Sequence, residues 1–214
     1  MTKAADDCCD SKTVALETLA QQGGQRRVLE TVLALNAIMF VVEFGAGLVA
    51  GSAALMADAV DMLGDAVVYV VSLYALTRGA RWKAGAAVAK GVLILLLGLG
   101  VLAQMAVKLT TGVPPSSKLM VVFGGLALLV NLSCLALLWR FRDHDVNMSS
   151  TFECSRNDVV ANCGVLLAAA GVAAFGSPWP DILVGLAIAA LFLRSATRVL
   201  AQSLPILRPG PRPH

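Results

Sequence analysis

A chain of 214 residues that is 57% hydrophobic and only 14% charged, with a mean hydropathy of +0.76, is too apolar for a soluble domain. Its length allows about six membrane spans of roughly 20 residues each, which leaves almost nothing for an extramembrane domain. The net charge of +3 is small, so its distribution along the chain says more than its size, and no nucleic-acid partner is expected.

The N-terminal segment 1–27, "MTKAADDCCDSKTVALETLAQQGGQRR", is polar and has neither the apolar core nor the cleavage site of a signal peptide. It reads as a cytoplasmic tail. Its adjacent Cys8 and Cys9, set among Asp6, Asp7 and Asp10, suit soft metal ions, but a disordered tail is the simpler account of them. Apolar runs predict helices at about 28–50, 52–78, 85–110, 118–141, 147–175 and 181–202, making 28–202 one transmembrane domain and 203–214 a short tail. The connectors "AGSA", "TTGVPPSSK" and "FGSPWPD" carry the Gly and Pro that stop helices. Gly47 and Gly51 have the small-xxx-small spacing of closely approaching helices. The expected fold is all-α, a polytopic bundle of six transmembrane helices.

Basic residues give the orientation. Lys3, Lys12, Arg26 and Arg27 precede the first span, and Arg78, Arg81 and Lys83 follow the second. Arg140 and Arg142 follow the fourth, and Arg194, Arg198, Arg208 and Arg212 lie at the end, whereas the opposite loops hold Lys108 and Lys118. By the positive-inside rule both termini are cytoplasmic. Cys134, Cys154 and Cys163 lie in apolar surroundings, and no disulfide framework is indicated.

The second span carries "ADAVDMLGDA". Asp61 and Asp65 are one helical turn apart near mid-membrane, with Asp58 a further turn outward on the same face. A charged side chain at that depth costs between about 2.5 and 17 kcal/mol, so three on one face point to function. Protonated aspartates bonding neighbouring helices are the structural alternative. In the fifth span, "CSRNDVVANCG" puts Cys154 and Asp158 at i and i+4. Two antiparallel helices, each presenting such a pair, supply four ligands at one level, a set of carboxylates and a thiolate suited to tetrahedral zinc or cadmium. Cys154 also reads as a small buried hydrophobe. Glu43 and Asp58 lie outward of this site, either as an exit or proton path or simply bonded to each other. Asn36, Asn131 and Asn162 read as interhelical hydrogen-bonders, and Asn162 as support for the site.

"SAALMADAVDMLGDA" and "CSRNDVVANCG" resemble the two metal-site segments of the cation diffusion facilitators, and the likeness extends over about residues 28–202, including "NAIMFVVEFGAGLVAG" in the first span. In that family each segment holds an acid or histidine, three residues, then an aspartate. The resemblance therefore implies Asp61, Asp65, Cys154 and Asp158 as metal ligands, export from the cytoplasm by metal/proton antiport, and a homodimer. Two departures stand out. Cys154 replaces the usual histidine, and the sequence ends at His214 where most members continue into a cytoplasmic domain, so a member lacking that domain is expected. "TRGARWKAG" lacks acids and histidines, so no accessory metal site is expected there.

A mid-membrane site reached alternately from each side is that of a secondary transporter. An acidic cluster in low dielectric retains protons when empty, and metal binding displaces them. Without a phosphate-binding motif, neither ATP use nor another cofactor is expected; zinc or cadmium is the cargo, and protons and lipid are the other partners. The expected location is a bacterial inner membrane. The rival readings are an intramembrane metal-dependent phosphotransferase, whose further acids "RGARWKAGAAVAKG" does not supply, and a metal-binding subunit that does not transport.

Overall fold

The computed structural model describes residues 26–75, 80–139 and 146–207. Within these, the side chains at 26–29, 68–69, 71–75, 80–83, 146–155, 202 and 206–207 are outside the description. Among the described residues six helices follow one another: α1 Arg26–Ala50, α2 Ala53–Ala75, α3 Ala80–Thr111, α4 Ser117–Trp139, α5 Val146–Phe175 and α6 Trp179–Leu207. The six expected spans are all present. The last helix runs five residues past the expected end at 202, through Pro205, because a helix can continue beyond the apolar stretch that hydropathy detects.

Backbone chemistry at the three short turns explains their brevity. After α1, Gly51 adopts a left-handed φ of 63°. Its N–H then donates to the Leu48 carbonyl at 3.3 Å, and the Ser52 N–H to the Gly47 carbonyl at 2.8 Å. This pair of bonds is the Schellman ending of a helix, for which glycine is the favoured residue. Ser52 then starts α2, its Oγ accepting from the Leu55 N–H at 3.1 Å. Gly51 is thus a cap, and the small-xxx-small spacing serves helix approach only through Gly47, where an added Cβ would sit 2.7 Å from Met56 Cγ and 3.0 Å from its N.

α2 lies at the centre. It packs against α1, α3 and α6 and touches α4 and α5, while α3 pairs with α6, α4 with α5, and α1 with α4. Every residue from Ser52 to Val60 is buried, and four of those nine are alanine, which lets neighbouring helices approach closely. The core continues through Ile94, Val101, Met120, Val165, Ala169 and Phe192.

Polarity is distributed in the opposite sense to a soluble protein. Val41, Val49, Leu129, Leu167 and Leu191 are exposed, whereas Asn36, Glu43, Asp58, Lys108, Asn131, Asn162 and Asp181 are buried. Apolar side chains outside and paired polar ones inside are what a bilayer requires. Five helices among the described residues are long and apolar enough to cross a membrane, and α2, at 23 residues, is the sixth and carries the three aspartates. The protein is a multi-pass membrane protein. Of the basic residues that set the expected orientation, those at 26–27, 81 and 83 fall among the undescribed side chains, and those at 3, 12, 78, 140, 142, 208 and 212 outside the described residues, as do Cys8 and Cys9.

Candidate metal site

A narrow cleft inside the bundle is lined by Asn36 of α1, by Asp58, Asp61, Met62 and Asp65 of α2, by Asn131 of α4 and by Asp158 of α5. The α2 members recur at i, i+3, i+4 and i+7, one face of a helix. Hence Asp61, Asp65 and Asp158, three of the four expected ligands, share the wall of one cleft. They do not converge on a point: among the described residues, no three His, Cys, Asp or Glu side chains are arranged to hold a metal ion. The fourth, Cys154, has its backbone in α5 one turn before Asp158, and its side chain is outside the described residues.

Asp61, Asp65 and Asp158 are half-buried, whereas Asp58, Asn162 and Glu43 are buried. A ladder of amides backs the cleft. The Asn131 Nδ2 donates to Asn162 Oδ1 at 3.2 Å, and the Asn162 Nδ2 donates to Asp58 Oδ2. Asn131 and Asn162 are interhelical hydrogen-bonders, joining α4, α5 and α2. Asn36 is not: its Nδ2 donates to the Val32 carbonyl of its own helix at 2.9 Å, while the residue lines the cleft. Glu43 is fully buried beside Asp58, close enough for one carboxyl group to donate to the other when a proton is shared between them.

Beyond the cleft, at the short-turn end, the structure assembles a second polar cluster with no counterpart among the expected site residues. Asp181, in the first turn of α6, is fully buried and accepts from Ser52 Oγ at 2.6 Å, Ala53 N at 2.9 Å, Ala54 N at 3.1 Å and Lys108 Nζ at 2.8 Å. Sequence spacing offers no signal for it, because an aspartate in a first helical turn reads as a complement to its own helix dipole.

The family described as "Cation efflux transmembrane domain" matches residues 30–208. The chain belongs to the cation efflux family. It is 25% identical over 203 residues to a cadmium, cobalt and zinc/H(+)-K(+) antiporter of Bacillus subtilis, a match covering 88% of this chain and 65% of that protein. It is also 25% identical over 202 residues to the metal cation efflux system protein CzcD of Cupriavidus metallidurans, covering 86% and 64%. The zinc transporter ZitB of Yersinia pestis is 24% identical over 210 residues, covering 92% of this chain and 67% of its own length. The chain therefore spans less than two thirds of the first two relatives.

Proposed function

We propose that this cation efflux family member carries divalent transition-metal cations, zinc and cadmium foremost, out of the cytoplasm in exchange for protons, with Asp61, Asp65, Cys154 and Asp158 as the ligands. The observation that carries this reading is the shared cleft: carboxylates from α2 and α5 facing one space inside a membrane bundle. Three carboxylates and one thiolate match the donor preference of zinc and cadmium, with bonds near 2.0–2.3 Å for zinc. Binding draws the ligands together and requires them deprotonated, so a cation entering the cleft expels protons and couples the two movements. The relatives' names supply the cargo class, cadmium, cobalt and zinc in one and zinc in another.

With both termini cytoplasmic, the half-buried Asp61, Asp65 and Asp158 stand on the cytoplasmic side of the buried Asp58, Asn162 and Glu43. Metal then enters from the cytoplasm, and Glu43 with Asp58 forms the proton path beyond it. A homodimer joined through transmembrane helices in a bacterial inner membrane completes the proposal. Family membership favours transport over the phosphotransferase and the non-transporting subunit.

The test is zinc flux in proteoliposomes under an imposed proton gradient. Wild type should move zinc against the direction of proton flow, and Asp65→Ala, still helical and monodisperse, should not move it. Wild-type-like flux from Asp65→Ala, or flux indifferent to the gradient, would overturn the site or the coupling respectively.

A further inference from the structure

The start of α2 is held from every side. Asp181 of α6 accepts the N–H groups of Ala53 and Ala54, which as the first residues of a helix have no partner within it, and it also accepts the hydroxyl of the capping Ser52. Lys108, from the last turn of α3, completes the carboxylate's shell at 2.8 Å, with its own side chain 9% exposed. Gly185, one turn after Asp181, lies so near the same segment that a Cβ there would meet the Ala53 carbonyl carbon at 2.9 Å and Ala54 N at 3.0 Å. The Ser116 N–H donates to the Ala50 carbonyl at 2.9 Å, tying the start of α4 to the end of α1 at the same level. Farther along α2 the hold loosens: residues 52–60 are all buried, whereas Asp61, Leu63, Asp65 and Val67 are half-buried.

We propose that Asp181 is a positioning residue for the metal site: from the first turn of α6 it fixes the start of α2, and so the height and rotation at which α2 presents Asp58, Asp61 and Asp65 to the cleft. Asp181 does not line the cleft. It acts along the helix, from Ala53 to Asp61 over about 12 Å at 1.5 Å per residue. A helix is stiff over two turns, so a shift or rotation at its start reaches Asp61 almost undiminished. A misplacement of about 1 Å among groups that must converge costs up to about a hundredfold in function. The charge pair stays closed through the cycle, since separating a buried, hydrogen-bonded carboxylate and ammonium leaves two uncompensated charges. Movement of α2 is thereby confined to its less buried half, where Asp61 and Asp65 lie.

The inference rests on the cleft being the metal site, and its test separates the two. Asp181→Asn keeps the shape but turns one acceptor oxygen into an amide donor that faces the Ala53 N–H and Lys108. Purified full chain in detergent micelles is titrated with zinc against a chromogenic zinc chelator, and thermal unfolding is recorded on the same samples. Asp181→Asn should bind zinc about tenfold more weakly, the lower end of what outer partners of metal ligands cost, and Ser52→Ala, which removes one donor and leaves every charge paired, about threefold. A purely structural Asp181 would lower the unfolding temperature and leave zinc affinity in the folded protein unchanged, and that result would overturn the proposal. Should Asp181→Asn fail to fold, Ser52→Ala decides alone, unchanged affinity counting against it. Asp65→Ala is the control: if it binds zinc like wild type, the site reading fails and this inference falls with it. If it loses binding while both Asp181→Asn and Ser52→Ala keep it, only the positioning role fails.

Discussion

Replacing Asn162 with leucine removes both rungs of the amide ladder while keeping the branched shape of the side chain. Asn162 is fully buried, its Nδ2 held by Asp58 and its Oδ1 by Asn131 at 3.2 Å. In a soluble core, two partners left unsatisfied would each cost about 1–3 kcal/mol, the carboxylate more. A bilayer lowers that figure, because the unfolded but inserted chain also finds partners; membrane hydrogen bonds average about 0.6 kcal/mol, reaching about 1.7. The two rungs together should therefore cost about 1–2 kcal/mol, most of it from Asp58, which is buried. Asn131, which also lines the cleft, keeps access to that space and loses less. Denaturation by increasing SDS fraction in mixed micelles measures the change. A double-mutant cycle with Asn131→Leu should return a coupling near 0.6 kcal/mol for the 3.2 Å bond. An Asn162→Leu protein as stable as wild type within about 0.5 kcal/mol would refute the reasoning, since it would mean that Asp58 has other donors and the ladder does not hold it.

Two further outcomes are expected. Cys154→His should keep zinc flux while lowering cadmium relative to zinc, because imidazole is a harder donor than thiolate; equal cadmium-to-zinc ratios in competitive uptake by wild type and variant would mean that the sulfur does not touch the ion. Gly185→Ala should cost about 1–3 kcal/mol in the same denaturation assay, since its Cβ would press on α2 backbone that cannot yield as a side-chain tip can, whereas Gly125→Ala, with nothing within 4 Å, should be neutral or stabilising.

The six helices were legible because their signals are local. The turn at Gly51 and Ser52 has its stop and start residues adjacent, and α2 begins at Ala53, one residue from the expected start. Helix ends without such punctuation were less legible: α3 begins at Ala80, five residues before the apolar run suggested, and α6 reaches Leu207. The acidic stripe of α2 was legible for the same reason, since helical periodicity alone puts Asp58, Asp61 and Asp65 on one face. That Asp158 shares their cleft depends on helix pairing, which the matched spacing in α5 hinted at. That Asn36 and Met62 share it depends on the approach of α1 and on the rotation of α2, neither of which the spacing encodes.

Asp181 marks where such reading stops, for a physical reason. Its partners Ala53 and Ala54 lie 128 and 127 residues away, and nothing in the composition of either segment announces the contact. Within a bilayer, apolar faces give little preference between lipid and a neighbouring helix, so the rotation of a helix is determined by close packing and by where its polar groups find partners. α2 has alanines on much of its surface, which tolerate many rotations, and it has polar groups that tolerate few: the Asp58 carboxyl, bonded to Asn162, and the first N–H groups, bonded to Asp181. These two attachments are at most five residues apart, and together they restrict the rotation of the helix. The stripe that faces the cleft is thus selected by groups outside it, and a chain that kept every ligand but lost those attachments would keep its spans and lose its site.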